Sequence, residues 1–119
     1  KARAEAVRHA EVYRGSFAIS VCPSENVESP TIVGAQAANE LLNIIGIKAS
    51  FVLTEYNDKI YISSRSIDEI NVQIIMEKLG GGGHLNVAGA QLEGVTIVQA
   101  KRMIQDTLDE MLKEGDIEE

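Results

Sequence analysis

The sequence is short of most residues from which a self-sufficient catalytic or covalently stapled site is made. It has one cysteine, Cys22, which excludes an internal disulfide and a cysteine-built structural zinc site. Its two histidines, His9 and His84, lie 75 positions apart, and no H-x-D, D-x-D or H-E-x-x-H pattern accompanies them. They cannot supply a multi-ligand metal cluster without several carboxylates, and no obvious general base stands out. Basic excess is missing too. Eleven Lys and Arg against 18 Asp and Glu give a net charge of −7, which excludes an overall basic surface for gripping duplex DNA. No apolar run approaches the roughly 20 residues that cross a bilayer, and no signal-peptide pattern opens the sequence. Neither G-x-G-x-x-G nor G-x-x-x-x-G-K-[ST] occurs.

What is present reads as one globular domain: 119 residues, 45% hydrophobic and 24% charged. The acidity is concentrated. Residues 109–119 carry six acidic side chains against Lys113, so −5 of the −7 sits there and the remaining body holds only −2. That end is expected to be a frayed, solvated tail, and a nearly neutral body leaves room for a local anion site.

Periodicity divides the chain. Ala2, Ala6, Ala10 and Tyr13 share one helical stripe, which predicts a helix over 1–13 stopped by Gly15. Residues 16–22 predict a buried strand ended by Pro23. Ser29-Pro30 predicts a capped helix start, with Ala35, Ala38, Leu41, Leu42 and Ile45 on one face and Gly46 closing it. Residues 48–56 and 59–64 predict a hairpin turning at Asn57-Asp58, with Ile60 and Ile62 on one face. A helix over 71–79 capped by Asn71, a strand over 88–93, and a final helix opened by a Thr96/Gln99 capping box complete the pattern. The order α-β-α-β-β-α-β-α predicts a single α/β domain: one mixed central sheet with helices packed on it.

Two segments carry chemistry. Gly80-Gly81-Gly82-Gly83-His84 sacrifices backbone entropy at each glycine, roughly 0.5–1 kcal/mol apiece. Such a loop can turn successive N–H groups toward an anion as a nest, with His84 as a further donor; the alternative is a flexible linker. Ser63-Ser64-Arg65-Ser66 places a guanidinium among hydroxyls, a bidentate phosphate fork; the alternative is a solvated arginine in a polar loop. The predicted helix 71–79 connects the two segments and lets Arg65 and His84 converge. His9 is expected at the surface, Cys22 as a buried small hydrophobe, and Asp58, Asp68 and Glu69 in turns and caps. From residues alone the chain is a phosphate- or nucleotide-binding module.

Residues 62–66, 70–72 and 75–84, ending Ala88-Gly89-Ala90-Gln91, together with Ala10–Gly15 and the runs 37–42 and 46–52, resemble the DHH-associated substrate-binding domain (first subfamily) of the DHH phosphoesterase superfamily. The run Asn71-Val72 through Leu79 before the glycines is most similar to bacterial cyclic-di-AMP phosphodiesterases of the GdpP type. The resemblance implies that a separate DHH domain of the same chain holds two manganese ions and hydrolyses the substrate to linear pApA. This domain would close over the cleft and bind a cyclic dinucleotide or short oligonucleotide through Arg65, Gly81, Gly82, Gly83 and His84, with Ser64 and Asn86 beside them. No catalytic or metal-binding residue is expected in this chain. It further implies a cytoplasmic domain of a membrane-anchored bacterial protein, with no membrane contact of its own and a homodimer as one arrangement. On that basis residues 1–14 are expected to end an interdomain helix, 15–113 to form the domain, and 114–119 to be the acidic tail. Related sequences often carry two alanines where this one has Ala88-Gly89, and glycine there is expected to loosen local packing. An oligoribonuclease or adenosine bisphosphate phosphatase, an RNA-binding appendage like those of alanyl-tRNA synthetases, and a dimerisation domain are the competing readings.

Overall fold

Asn57 and Asp58 both adopt left-handed backbone, at φ 52° and 60°, the combination that a two-residue turn needs to match strand twist. They join β3 (Ala49–Tyr56) to β4 (Lys59–Ser66) in an unbroken antiparallel ladder from Tyr56↔Lys59 to Ala49↔Ser66. Around this hairpin the computed structural model, which describes residues 1–119, builds a six-stranded sheet. The further elements are α1 (Ala2–Arg8), β1 (Glu11–Tyr13), β2 (Phe17–Cys22), α2 (Pro30–Leu41), α3 (Val72–Lys78), β5 (Gly82–Gly83), β6 (Val87–Glu93) and α4 (Ile97–Glu114), and the strand order is β1-β2-β3-β4-β6-β5. Only β2 and β3 run parallel, connected through α2. The sheet is mixed, and the predicted elements occur in the predicted order with two short edge strands added.

The two sheet faces bury different chemistry. On one face Phe17, Ile19, Phe51, Leu53, Ile60, Ile62 and Leu92 meet Val72, Ile75 and Met76 of α3 and Ala100, Ile104, Leu108 and Met111 of α4. Each large side chain contributes roughly 1.5–3 kcal/mol by leaving water. On the other face Ala18, Cys22 and Val52 meet Ala6 of α1 and Ala37, Ala38 and Leu41 of α2. These side chains are small because α2 lies very near the sheet: a Cβ on Gly34 would sit 2.5 Å from the Thr54 hydroxyl. Burial pushes the Cys22 thiol pKa up, consistent with an inert packing residue.

Local signals hold where hydrogen bonds are local. The Asn71 side chain accepts from the Ile74 amide at 3.2 Å. Thr96 and Gln99 form the full capping box, and the stripe Ala100, Ile104, Leu108, Met111 is buried as expected.

Tertiary context overrides four expectations. The first helix ends at Arg8, because Glu11–Tyr13 pairs with Phe17–Ile19 as an edge strand through a turn at Arg14-Gly15. Ser29 makes no side-chain cap; its backbone is left-handed at φ 53° and its carbonyl accepts from Ile32 and Val33. The helix it precedes stops at Leu41, leaving Ile45 fully exposed. The acidic end is docked, not frayed. Ile117 joins the large core, and Glu119 pairs with Arg14 at 2.8 Å while its carbonyl accepts from Lys48.

Candidate functional site

Alternation along β4 decides which side chains can meet a ligand. Ile60, Ile62, Ser64 and Ser66 are buried against α3 and α4, so Tyr61, Ser63 and Arg65 point to the opposite face. On β6, Ala88, Ala90 and Leu92 are buried and Val87, Gly89, Gln91 and Glu93 share the other face with them. This is the face that α1 and α2 cover over β2 and β3. Helix α2 also reaches β4, and the face is open over β6 and β5.

Arg65 is the unusual charge on that open half-face. It is half-buried, and its only internal bond is from Nη1 to the Ser64 carbonyl at 2.9 Å. Every other arginine faces a carboxylate: Arg3 with Glu40, Arg8 with Glu5, Arg14 with Asp109 and Glu119, Arg102 with Asp106. Burial pulls the Arg65 pKa down from its ordinary value with no carboxylate to offset it. A partly desolvated guanidinium without a counter-ion is an unsatisfied donor set, and an anion satisfies it.

The strand register brings Arg65 and His84 together. Arg65 stands opposite Val87, and the His84 amide donates to the Val87 carbonyl at 2.7 Å. The two residues therefore sit in one cross-strand row, about 10 Å apart at two strand spacings. The His84 side chain is exposed and makes no hydrogen bond within the chain. In the next row of that face, Ser63 stands opposite Gly89 and Gly89 opposite Gly82.

The glycine run is ordered and serves several purposes, and three of the amides expected to form an anion nest are already committed within the fold. Gly80 (φ 85°) and Gly81 terminate α3, donating to Glu77 O at 3.1 Å and Met76 O at 2.8 Å, a Schellman closure. With the His84 amide also taken, these N–H groups are not free for a ligand. Gly81 and Gly83 are required by close approach: a Cβ would lie 2.1 Å from Gly89 O and 2.5 Å from Val87 O, respectively. Gly82 alone of the three faces open space. The run therefore provides a bare edge strand over which a ligand can lie. Gly89 is tightly packed rather than loose, since a Cβ there would meet Ile62 O at 2.7 Å.

Two further candidates change role. The Ser64 side chain is fully buried on the core face and its hydroxyl has no partner, so it cannot reach a ligand beside Arg65; strand alternation puts Ser63 there instead. Asn86 donates through Nδ2 to Ser66 Oγ at 2.8 Å and to the Asp68 carbonyl at 3.3 Å. Its amide thus ties the end of β4 to the approach to β6.

Sequence reasoning missed a groove on this face. A groove of about 510 Å³ is lined by Tyr61, Ser63, Gly81, Gly89, Gln91 and, from the first turn of α2, Thr31. Arg65 and His84 lie beyond its end. The missing signal was available: once Ile60 and Ile62 face the core, Tyr61 and Ser63 must accompany Arg65. His9 lies elsewhere, exposed and 3.2 Å from Glu5. No grouping of three or more His, Cys, Asp or Glu is placed to hold a metal ion, so this donor set does not fit manganese.

The likeness to known proteins covers the whole of this arrangement. The DHHA1 domain pattern matches residues 15–114. Over 108 residues the chain is 45% identical to the cyclic-di-AMP phosphodiesterase PdeA of Listeria monocytogenes, covering 90% of this chain and 16% of that protein. Over 115 residues it is 37% identical to the cyclic-di-AMP phosphodiesterase GdpP of Bacillus subtilis, covering 95% and 18%. It thus spans about a sixth of the length of these curated relatives. An exopolyphosphatase-related protein from Bacteroides fragilis shares the fold with a TM-score of 0.80 at 21% identity, covering 92% of this chain and 33% of that one. The chain belongs to the DHHA1 domain family.

Proposed function

We propose that this chain is the substrate-binding domain of a cyclic-di-AMP phosphodiesterase. It binds the phosphates and bases of the dinucleotide, and an accompanying DHH domain holding two manganese ions hydrolyses it to pApA. The observation that carries this reading is Arg65, a half-buried guanidinium without a carboxylate, in one cross-strand row with His84 on an open sheet face. The names of the 45% and 37% identical relatives support the choice of substrate. In this reading Arg65 forks onto a phosphate and His84 donates from the opposite side. Gly82 leaves the surface bare so that the backbone of the dinucleotide can lie close, and Ser63 adds a hydroxyl.

Binding and chemistry are divided. In this reading the chain supplies binding and the DHH domain supplies the metal-assisted hydrolysis. No helix here is long and apolar enough to cross a membrane; a membrane anchor, like the DHH domain, would lie elsewhere in the parent protein.

The test uses a protein that carries this chain together with its DHH domain. Arg65→Ala and His84→Ala are each expected to raise KM for cyclic-di-AMP by about tenfold or more, since a charged hydrogen bond contributes roughly 1.5–3 kcal/mol. Unchanged kinetics in both variants would overturn the assignment. Manganese-dependent turnover by the 119-residue chain alone would overturn the division of roles.

A further inference from the structure

We propose that the Tyr61–Gln91 end of the groove is a nucleobase subsite that takes an aminopurine, with Tyr61 as the stacking surface and Gln91 as the reader of the base edge. This rests on the nucleotide-binding reading above and assigns it a second, separate anchor.

Tyr61 and Gln91 stand directly opposite each other on β4 and β6, and both line the groove. The Tyr61 ring lies beside that of Tyr56, with centroids 6.3 Å apart at a 49° tilt. A part-exposed aromatic ring lining a groove is a stacking surface that any nucleobase can use. Neither the Tyr61 hydroxyl nor the Gln91 amide hydrogen-bonds within the chain, and Gln91 is exposed. A glutamine amide carries a donor and an acceptor side by side, the complement of the ring nitrogen and exocyclic amino group of adenine.

Charge sets the orientation. At this end Lys59 and Glu93 stand opposite each other across the ladder and balance. The uncompensated positive charge is Arg65, four residues along β4, about 13 Å away at the rise of a strand. A phosphate is drawn to the Arg65 end and a base is left for the Tyr61 end. Between them on this face stand Ser63 and, opposite it, Gly89, so the floor carries no side chain larger than a serine.

The experiment is a binding titration of the 119-residue chain. Its probes are pApA, pUpU and ribose 5-phosphate, the last being a phosphate without a base. The chain has no tryptophan and three tyrosines, so stacking on Tyr61 is read directly as quenching of tyrosine emission. Tyr61→Leu is expected to weaken pApA binding about tenfold, within the range for loss of one stacked base, and to leave ribose 5-phosphate binding unchanged. Tyr61→Phe keeps the affinity within about twofold but reduces the quenching, leaving only what reaches the neighbouring Tyr56. Gln91→Leu reduces the preference for pApA over pUpU. Thermal melting of each variant checks that the fold is intact. If Tyr61→Leu binds pApA as tightly as the parent while Arg65→Ala loses it, the base subsite is overturned and the phosphate reading stands. If Arg65→Ala binds as the parent does and Tyr61→Leu does not, the base subsite stands and the phosphate reading falls. If the parent binds none of the probes, both fall.

Discussion

Arg65 and His84, 19 positions apart in sequence, occupy one cross-strand row with only Val87 between them: Arg65 pairs with Val87 in the β4–β6 ladder, and the His84 amide bonds the Val87 carbonyl at 2.7 Å. The connection between them is α3, whose closing turn at Gly80 and Gly81 leads directly into the edge strand β5 at Gly82. Termination of a helix and placement of a ligand-facing histidine are thus one piece of local structure.

The unpaired state of Arg65 separates binding from stability. Arg65→Met keeps the length of the aliphatic stem and removes a half-buried charge that no carboxylate offsets. The variant is expected to unfold within about 1 kcal/mol of the parent or to be slightly more stable, as read by urea denaturation. The same variant is expected to lose about tenfold or more in affinity for pApA, in keeping with roughly 1.5–3 kcal/mol for a charged hydrogen bond. A large loss of stability would show Arg65 to be a structural residue.

The three glycines should respond differently to alanine. Gly81→Ala and Gly83→Ala drive a Cβ to 2.1 Å and 2.5 Å from backbone oxygens of β6, and each is expected to cost about 2–3 kcal/mol by overpacking. Gly82→Ala meets nothing within 4 Å. It should leave the melting temperature nearly unchanged while weakening dinucleotide binding, because its Cβ projects onto the open face. Equal destabilisation by all three would refute the edge-strand geometry.

Neighbouring serines on β4 make an internal comparison. Ser64 has a fully buried hydroxyl with no partner, so Ser64→Ala is expected to be neutral or stabilising by up to about 1 kcal/mol, with ligand affinity unchanged. Ser66 donates to the Ile70 carbonyl at 2.6 Å and accepts from Asn86 at 2.8 Å. Ser66→Ala leaves those groups short of a partner and should cost about 1–3 kcal/mol. Chemical denaturation of the two variants checks the order.

At the far edge of the sheet, Tyr13 donates to Asp109 at 2.7 Å. That hydrogen bond, then burial and the Asp109 charge, hold the phenol pKa above its ordinary value of 10.0. A pKa raised on folding means that the folded state favours the protonated form. Its contribution is therefore complete below about pH 10 and is lost as pH rises through the folded value. Thermal melts are expected to show a decline above about pH 10 that is smaller in Tyr13→Phe. Identical alkaline slopes in both proteins would remove Tyr13 as the cause.

Much of the fold was legible from spacing because its causes are local. The Asn71 cap, the Thr96/Gln99 box, the Asn57-Asp58 turn and the stripe from Ala100 to Met111 each depend on residues within one or two turns of one another. Edge strands are different. Glu11–Tyr13 and Gly82–Gly83 have no strand signal of their own; they are strands because β2 and β6 offer them a ladder. Ile45 and Ile117 show the same limit for burial, one wholly exposed despite its helical spacing and the other docked within an acidic run.

The sequence by itself determined the composition of the site: one arginine among serines, four glycines and a histidine, in a chain whose acidity lies mostly at one end. Tertiary structure decided which of those groups remain available. Strand alternation turned Ser64 inward and Ser63 outward, helix closure took the amides of Gly80 and Gly81, and α2, which reaches only as far as β4, left the sheet face open from Arg65 toward β6 and β5. The physical reason is that availability is a property of what a group is not bonded to or covered by, and those partners come from elements distant in the chain.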